Sequence, residues 1–390
     1  MVIRGRHYLL GEVCDFNCEN GVIREIRPPD GARAVLGSPD HWVLPGLIDI
    51  QVNGYKGIDF CSESLTPEQV EEASLALAEA GVVAFCPTII TNSAEAIEAS
   101  LCAIAEAWAR GGAARDRILG IHLEGPYISP LDGPRGTHPL AHVRHPDWNE
   151  FRRWQDVSGG RIRIVTLAPE LPGAIEFIAR ARRSGTLVAI GHHAATREQI
   201  NAAVAAGAVM STHLGNGAHS ELPRHPNYIW EQLANDGLMA GIIVDGHHLP
   251  PSVVKTFFRT KGVDRLILVS DVVWLAGLTP GKYRFAEQDV ELREDNSVRL
   301  VSTPFLAGSA LKLIDAVSNI QVYADASLAD AVRMSATNPV QLLNATERGR
   351  LLLNERADLL LVRPRANDRG LTLDATMIGG QIAYQNGQGM

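Results

Sequence analysis

From Leu47 to Ser270 the chain alternates short apolar runs, rich in β-branched residues, with Ala/Glu-rich amphipathic stretches. That alternation constrains the fold more than any other feature. Eight runs are candidate strands: 47–52, 82–87, 118–123, 162–168, 186–191, 208–212, 239–244 and 265–270. Several, such as Gly241-Ile-Ile-Val244 and Leu266-Ile-Leu-Val269, are apolar without a break. Strands read this way when both faces are buried, as in a parallel sheet. Helical segments fall between them at 67–80, 93–110, 171–184, 196–206 and 250–260, with Ser93 and Thr196 as N-caps. Strands alternating with helices predict parallel βαβ units. Eight units fit an α/β fold of the (β/α)8 TIM-like barrel type, although pattern alone leaves a doubly wound sheet open. A barrel needs roughly 250 residues; the chain has 390, enough for a second unit.

The two ends share a character that the middle lacks. Residues 1–45 read as short strands broken by Gly, Pro, Asn and Asp, among them Tyr8–Leu10 and Gly21–Ile26. After the eighth run comes Pro280–Val301, rich in turn signals and charges, then a Gly308–Ser309 turn and helical stretches at 310–324 and 328–344. Short strands return at Leu351–Leu353, Asp358–Val362 and Met377–Ala383. The expected arrangement is a small β-sandwich domain built from 1–45 plus 346–390, with the barrel, 46–345, inserted between its halves.

A net charge of −8 argues against nucleic acid and anionic membrane as partners. No stretch approaches the roughly 20 apolar residues of a membrane helix, and charges interrupt the first residues where a secretory signal would need an apolar run. The five cysteines are odd in number and form no Cys-x-x-Cys pair. Reduced thiols, and therefore the cytoplasm, are the expectation.

The polar residues fall at the C-terminal ends of the predicted strands, where barrels of this kind build their sites. Asp49, Gln51 and Asn53 lie on or after the first strand, His122 and Glu124 end the third, and His192 and His193 follow the fifth. His213 follows the sixth, Asp245, His247 and His248 the seventh, and Asp271 the eighth. One carboxylate and two imidazoles with an open position suit a catalytic divalent metal such as Zn2+, which lowers the pKa of a bound water. A second carboxylate must then carry protons, and Asp271 at the end of the last strand suits that task. His192 and His193 compete for one ligand position, the first being nearer the strand end. Asp49 reads as a structural hydrogen-bond acceptor, and His142, His145 and His225 read as solvated loop residues. Trp230 and Trp274 sit near motif loops.

A series of motifs in order carries a family resemblance: Pro45-Gly-Leu-Ile-Asp-Ile-Gln-Val-Asn-Gly54, Gly120-Ile-His-Leu-Glu-Gly-Pro126, Thr166-Leu-Ala-Pro-Glu170, Gly191-His192, Thr212-His-Leu-Gly-Asn216, Asp245-Gly-His-His248 and Leu306-Ala-Gly-Ser309. The chain resembles the N-acetylglucosamine-6-phosphate deacetylases of the amidohydrolase superfamily along essentially its whole length. The resemblance implies Glu124, His192 and His213 as ligands of one divalent ion per chain, Zn2+ or Fe2+, and Asp271 as general base and acid. It implies His138 as a group that orients or polarises the acetamide. Asn216, Gly217 and His248 would contact the sugar phosphate, Leu306 and Ala307 would line the substrate, and Arg224 would reach the phosphate across a homodimer interface. Many superfamily members carry His-x-His for a second metal where this chain has Gln51-Val-Asn53, and the bridging lysine is absent, so a single ion is expected. The chain departs from the family after Asp271, where Trp274 is expected to crowd the mouth, in the bulky segment after His213, and in the loop at 129–148. Two alternatives remain at this stage: an amidohydrolase acting on a different N-acyl sugar or another amide, and a non-catalytic barrel that only binds.

Overall fold

The computed structural model describes residues 1–31, 34–285, 288–301, 303, 305–365 and 370–387. All eight predicted runs form strands: Leu47–Val52, Val82–Ile90, Ile121–Glu124, Ile162–Leu167, Leu187–Ile190, Ala208–Ser211, Met239–Ile242 and Leu266–Leu268. They pair in sequence order as one parallel sheet. The first and last meet at their C-terminal ends, where Asp271 N donates to Gln51 O at 3.1 Å and Asn53 N to Val272 O at 2.8 Å. That contact brings the sheet round into a barrel at its mouth and decides against the doubly wound alternative. Every residue of Leu47–Val52 is buried, as its unbroken apolar pattern requires.

The expected helices form at Pro67–Ala76, Ala94–Arg110, Ala174–Arg183, Arg197–Ala206 and Pro251–Lys261. Their starts are chemically specified. Thr66 with Gln69, and Thr196 with Gln199, close reciprocal capping boxes, and Ser93 caps the longest helix. Gly207, at φ +118°, ends Arg197–Ala206 and feeds the sixth strand.

The termini combine into a seven-stranded sheet separate from the barrel. Leu36–Pro45 pairs antiparallel with Leu359–Pro364 and so joins the two chain ends. Phe16 and Ile23 from one wing share an apolar cluster with Ala375 and Met377 from the other, so the sheet curls over its own core. Arg348 and Arg356 pair with Asp116 and Asp358 where this sheet meets the barrel. The predicted terminal unit also includes 32–33, 366–369 and 388–390, which lie outside the described residues.

Several expectations needed correction. Tyr8–Leu10 is a turn after the strand Val2–His7, and Leu351–Leu353 is not a strand. Met377–Ala383 is split by the Gly379–Gly380 turn into Leu371–Ile378 and Gln381–Gln385. The turn-rich segment after residue 280 forms three strands, Gly281–Phe285, Gln288–Leu292 and Ser297–Leu300, which with Leu306–Ser309 make a four-stranded antiparallel sheet; residues 286–287, 302 and 304 lie outside the described residues. This sheet hangs directly on the segment that carries Asp271: Ser309 N donates to Asp271 O and Val273 N to Ser309 O, both at 3.0 Å. Trp274 packs into the sheet's apolar cluster, edge-on to Tyr283 at 5.7 Å. Its ring is thus partly held in that cluster, on the sheet beside Asp271. Among the described residues no helix is long and apolar enough to cross a membrane.

Candidate active site

The strand ends bring Glu124, His192 and His213 together. Glu124 Oε1 lies 2.8 Å from His213 Nε2 and 3.2 Å from His192 Nε2, and the two imidazole nitrogens are 3.1 Å apart. All three residues are buried. The donors fit a divalent metal. His192 Nδ1 donates to Pro134 O at 2.8 Å, which leaves the Nε2 lone pair of the neutral ring facing the other two groups. Ligand atoms about 2.0–2.1 Å from a tetrahedral ion sit about 3.3 Å from one another, close to the spacings here. The cluster can thus hold a divalent cation, as the amidohydrolase resemblance implied.

The electrostatics point the same way. Burial opposes the charge of Glu124, but hydrogen bonds with His192 and His213 outweigh it and hold the carboxyl well below the usual range. Burial likewise opposes a charged His213, yet the bond to Glu124 raises its pKa. Asp271 stands beside this group as a second, separate carboxylate. Burial first, and then the charge of Glu124, push it up to about 6. Gln51 Nε2 donates to both Glu124 Oε2 and Asp271 Oδ1, at 3.0 and 3.1 Å, and Asn53 Nδ2 donates to Asp271 Oδ1 at 2.7 Å.

Backbone strain marks the same positions. His192, His213 and Asp271 adopt φ of +52°, +27° and +51°, a region that non-glycine residues rarely enter and that costs on the order of 1–3 kcal/mol each. Each lies just past its strand, so the chain turns sharply and projects the side chain over the barrel mouth. His192 is further confined. Its ring lies between Gly217, Gly136 and the ring of His138, whose centroid is 4.3 Å away.

The remaining expected residues are placed as follows. His138 is buried; its Nδ1 pairs with Thr91 Oγ1 at 2.8 Å, and burial first, with the neighbouring His192 adding to it, holds its pKa well below the usual imidazole range. With the threonine hydroxyl donating, Nε2 carries the proton. His248 Nδ1 donates to Asp245 Oδ2 at 2.6 Å. Burial opposes the Asp245 charge, but His248 outweighs it and lowers the pKa to about 2. Asn216 Nδ2 donates to His213 O at 3.2 Å, and Gly217 packs on His192. Leu306 and Ala307 are half-buried on the strand beside Asp271, and Arg224 is exposed on the loop before Tyr228–Ala234. His193 resolves the pair at the fifth strand. It turns away, accepts from Ala195 N through Nδ1 at 3.1 Å and packs edge-on to Tyr228; burial lowers its pKa to about 4. Asp49 accepts from the Gln51 and Ser270 amides, as a structural role requires.

Two features escaped sequence reasoning. His122 points into the barrel, joining Ile50 O to Thr166 Oγ1 at 3.0 and 2.7 Å, and Thr166 continues to Thr212. The amide bridge of Gln51 and Asn53 is the second: the sequence places both residues at the mouth but gives no sign that they join Asp271 to Glu124.

Comparison with known proteins gives the lineage. The model of the amidohydrolase family matches residues 42–383. N-acetylglucosamine-6-phosphate deacetylase of Bacillus subtilis is 33% identical over 362 residues, covering 92% of this chain and 89% of that protein. N-acetylgalactosamine-6-phosphate deacetylase of Shewanella sp. is 31% identical, covering 96% and 93%. The solved structure of N-acetyl-D-glucosamine-6-phosphate deacetylase from Mycobacterium smegmatis, in complex with N-acetyl-D-glucosamine-6-phosphate, superposes with a TM-score of 0.87 at 27% identity, over 98% of this chain and 99% of that one. With a parallel barrel, a terminal β unit and a Glu–His–His cluster at the strand ends, the chain belongs to the amidohydrolase family, in the branch of the N-acetylglucosamine-6-phosphate deacetylases.

Proposed function

We propose that this protein removes the acetyl group of N-acetylglucosamine 6-phosphate, giving glucosamine 6-phosphate and acetate. The observation that carries this reading is the Glu124–His192–His213 cluster with Asp271 held beside it as a free carboxylate. Glu124, His192 and His213 are the residues that would hold the ion, and two imidazoles with one carboxylate are a donor set favoured by Zn2+, while Fe2+ satisfies the same atoms. A divalent ion bound there supplies Lewis acidity, lowering the pKa of a water and polarising a carbonyl oxygen.

The chain's own groups supply the rest. Asp271 takes a proton from the attacking water and passes it to the departing amine nitrogen; its raised pKa suits a group that must do both. His138, neutral and fixed by Thr91, offers its Nε2 proton to the carbonyl oxygen as negative charge develops there. Asn216, the Gly217 backbone and His248, oriented by Asp245, line the side assigned to the sugar phosphate. Leu306 and Ala307 border the substrate. The exposed Arg224 is assigned to phosphate in a homodimer, since a guanidinium fork matches phosphate geometry. The five unpaired cysteines support a cytoplasmic location.

The test is acetate release from N-acetylglucosamine 6-phosphate, N-acetylgalactosamine 6-phosphate and unphosphorylated N-acetylglucosamine, side by side. The galactosamine epimer is included because a relative named for it matches at 31% identity. The expected order of kcat/KM places N-acetylglucosamine 6-phosphate first. Equal kcat/KM with and without the phosphate would refute the assignment of the phosphate subsite.

A further inference from the structure

Asp271 is gripped by one of its two oxygens. Asn53 Nδ2 and Gln51 Nε2 both donate to Oδ1, at 2.7 and 3.1 Å, and Gln51 Nε2 also donates to Glu124 Oε2 at 3.0 Å. Among the described residues no hydrogen bond engages Asp271 Oδ2, and that atom is not among the buried orphans. The amides are oriented by their partners, because an ionised carboxylate only accepts and each NH2 must therefore turn inward. That orientation has a cost: among the described residues no group pairs with the buried Gln51 Oε1 or Asn53 Oδ1. Methionine or leucine would fill the same space without leaving an acceptor unpaired, so filling space does not account for these side chains. The strand beneath them is pinned on both sides. Asp271 N donates to Gln51 O, Asn53 N to Val272 O, and Gln51 N to Asp49 Oδ1.

We propose that Gln51 and Asn53 are positioning residues for proton transfer: an amide clamp that fixes the Oδ1 edge of Asp271, ties it to Glu124, and so aims Oδ2 at the reacting amide. The inference rests on the deacetylase reading above and deepens it. Oδ1, already accepting two N–H bonds, cannot take a proton without weakening that clamp, so the proton from water goes to Oδ2 and leaves from Oδ2 to the amine nitrogen. In this chain the two amides hold the carboxylate with neutral donors.

The experiment is a double-mutant cycle on the zinc-loaded enzyme. Gln51→Met and Asn53→Leu are each made in the wild-type and in the Asp271→Asn background. In the wild-type background kcat should fall at least about tenfold, a part of the roughly 100-fold or more that acid–base catalysis contributes, with KM changed less than about threefold and zinc content unaltered. In the Asp271→Asn background the same changes should alter the residual rate less than about twofold, since the group they position is gone. Crystal structures of both zinc-loaded single variants should show the Asp271 carboxylate rotated while Glu124, His192 and His213 stay in place. Loss of zinc, unchanged kcat, equal losses in both backgrounds, or an Asp271 carboxylate that keeps its position would each overturn the clamp. If Gln51→Met does not fold, Asn53→Leu runs the cycle alone through the same oxygen. If the wild type turns over none of the N-acetyl hexosamine phosphates, the deacetylase reading fails, and the crystal structures still decide the clamp.

Discussion

A single methyl group added at Gly217 tests how the site is built. Gly217 sits at φ +56°, and a Cβ there would lie 2.6 Å from His192 Nδ1 and 2.9 Å from His192 Cε1. Ordinary contact distances begin near 3.4 Å, so the imidazole would have to retreat by well over half an ångström. Retreat is blocked. Gly136 lies alongside, close enough that a Cβ there would be 3.4 Å from the ring, the tilted His138 ring has its centroid 4.3 Å away, and Nδ1 is tethered to Pro134 O. Metal sites tolerate only about 0.2 Å of ligand displacement. Gly217→Ala should therefore weaken zinc binding about 10–100-fold, the range seen when groups that orient a ligand are lost. Alanine in the left-handed region adds about 1–2 kcal/mol of destabilisation regardless of the clash. Gly185→Ala supplies the control, because Gly185 has φ +89° and a methyl added there meets nothing within 4 Å. The assay is zinc retention against a graded chelator, with the melting temperature of both variants alongside. A Gly217→Ala protein that holds zinc as tightly as Gly185→Ala would refute the argument.

Other outcomes follow from the same geometry. Asp271→Asn should lower kcat by about 100-fold or more, with zinc content unchanged, because it removes the proposed proton carrier and leaves Glu124, His192 and His213 intact. Arg224→Ala should raise KM for the phosphorylated substrate about tenfold and leave kcat nearly unaltered, as loss of a phosphate contact outside the reacting centre predicts; unphosphorylated substrate should show no change. Asp245 links stability to acid. Its folded pKa, about 2, lies below the ordinary 3.8, so its contribution is fully present above pH 4 and is lost as pH falls towards 2. That difference is worth about 2 kcal/mol. Chemical denaturation between pH 5 and 3 should show Asp245→Asn losing stability less steeply than the wild type.

How much of this was legible in the sequence depended on whether a signal was local. The barrel strands were, because a strand buried on both faces writes an unbroken apolar run such as Leu266-Ile-Leu-Val269. Their ends were legible too, and with them Glu124, His192, His213 and Asp271. The sheet after residue 280 carried a readable signal that its charges masked: Gln288–Leu292 alternates polar and apolar residues, and Val290 and Leu292 are its buried face. The helix Tyr228–Ala234 was hidden by its lead-in of Pro223 and Pro226, although Asn227 is a good N-cap. Position favoured His192 over His193, as the nearer to the strand end, but could not say where the second ring goes. The turn at φ +52° that aims the first over the mouth and the second towards Tyr228 is a property of the packed backbone. The Gln51–Asn53 bridge was beyond reach for a similar reason, since it joins the first, third and eighth strands and exists only once the barrel is assembled.

Amide hydrolysis should depend on a single ion held by the Glu124–His192–His213 cluster. The direct measurement strips the protein with a chelator and titrates Zn2+ back while following acetate release from N-acetylglucosamine 6-phosphate. Activity should vanish on stripping and return in proportion to bound zinc, levelling at about one ion per chain. Full turnover by the stripped protein, or full zinc binding with no acetate released, would contradict it.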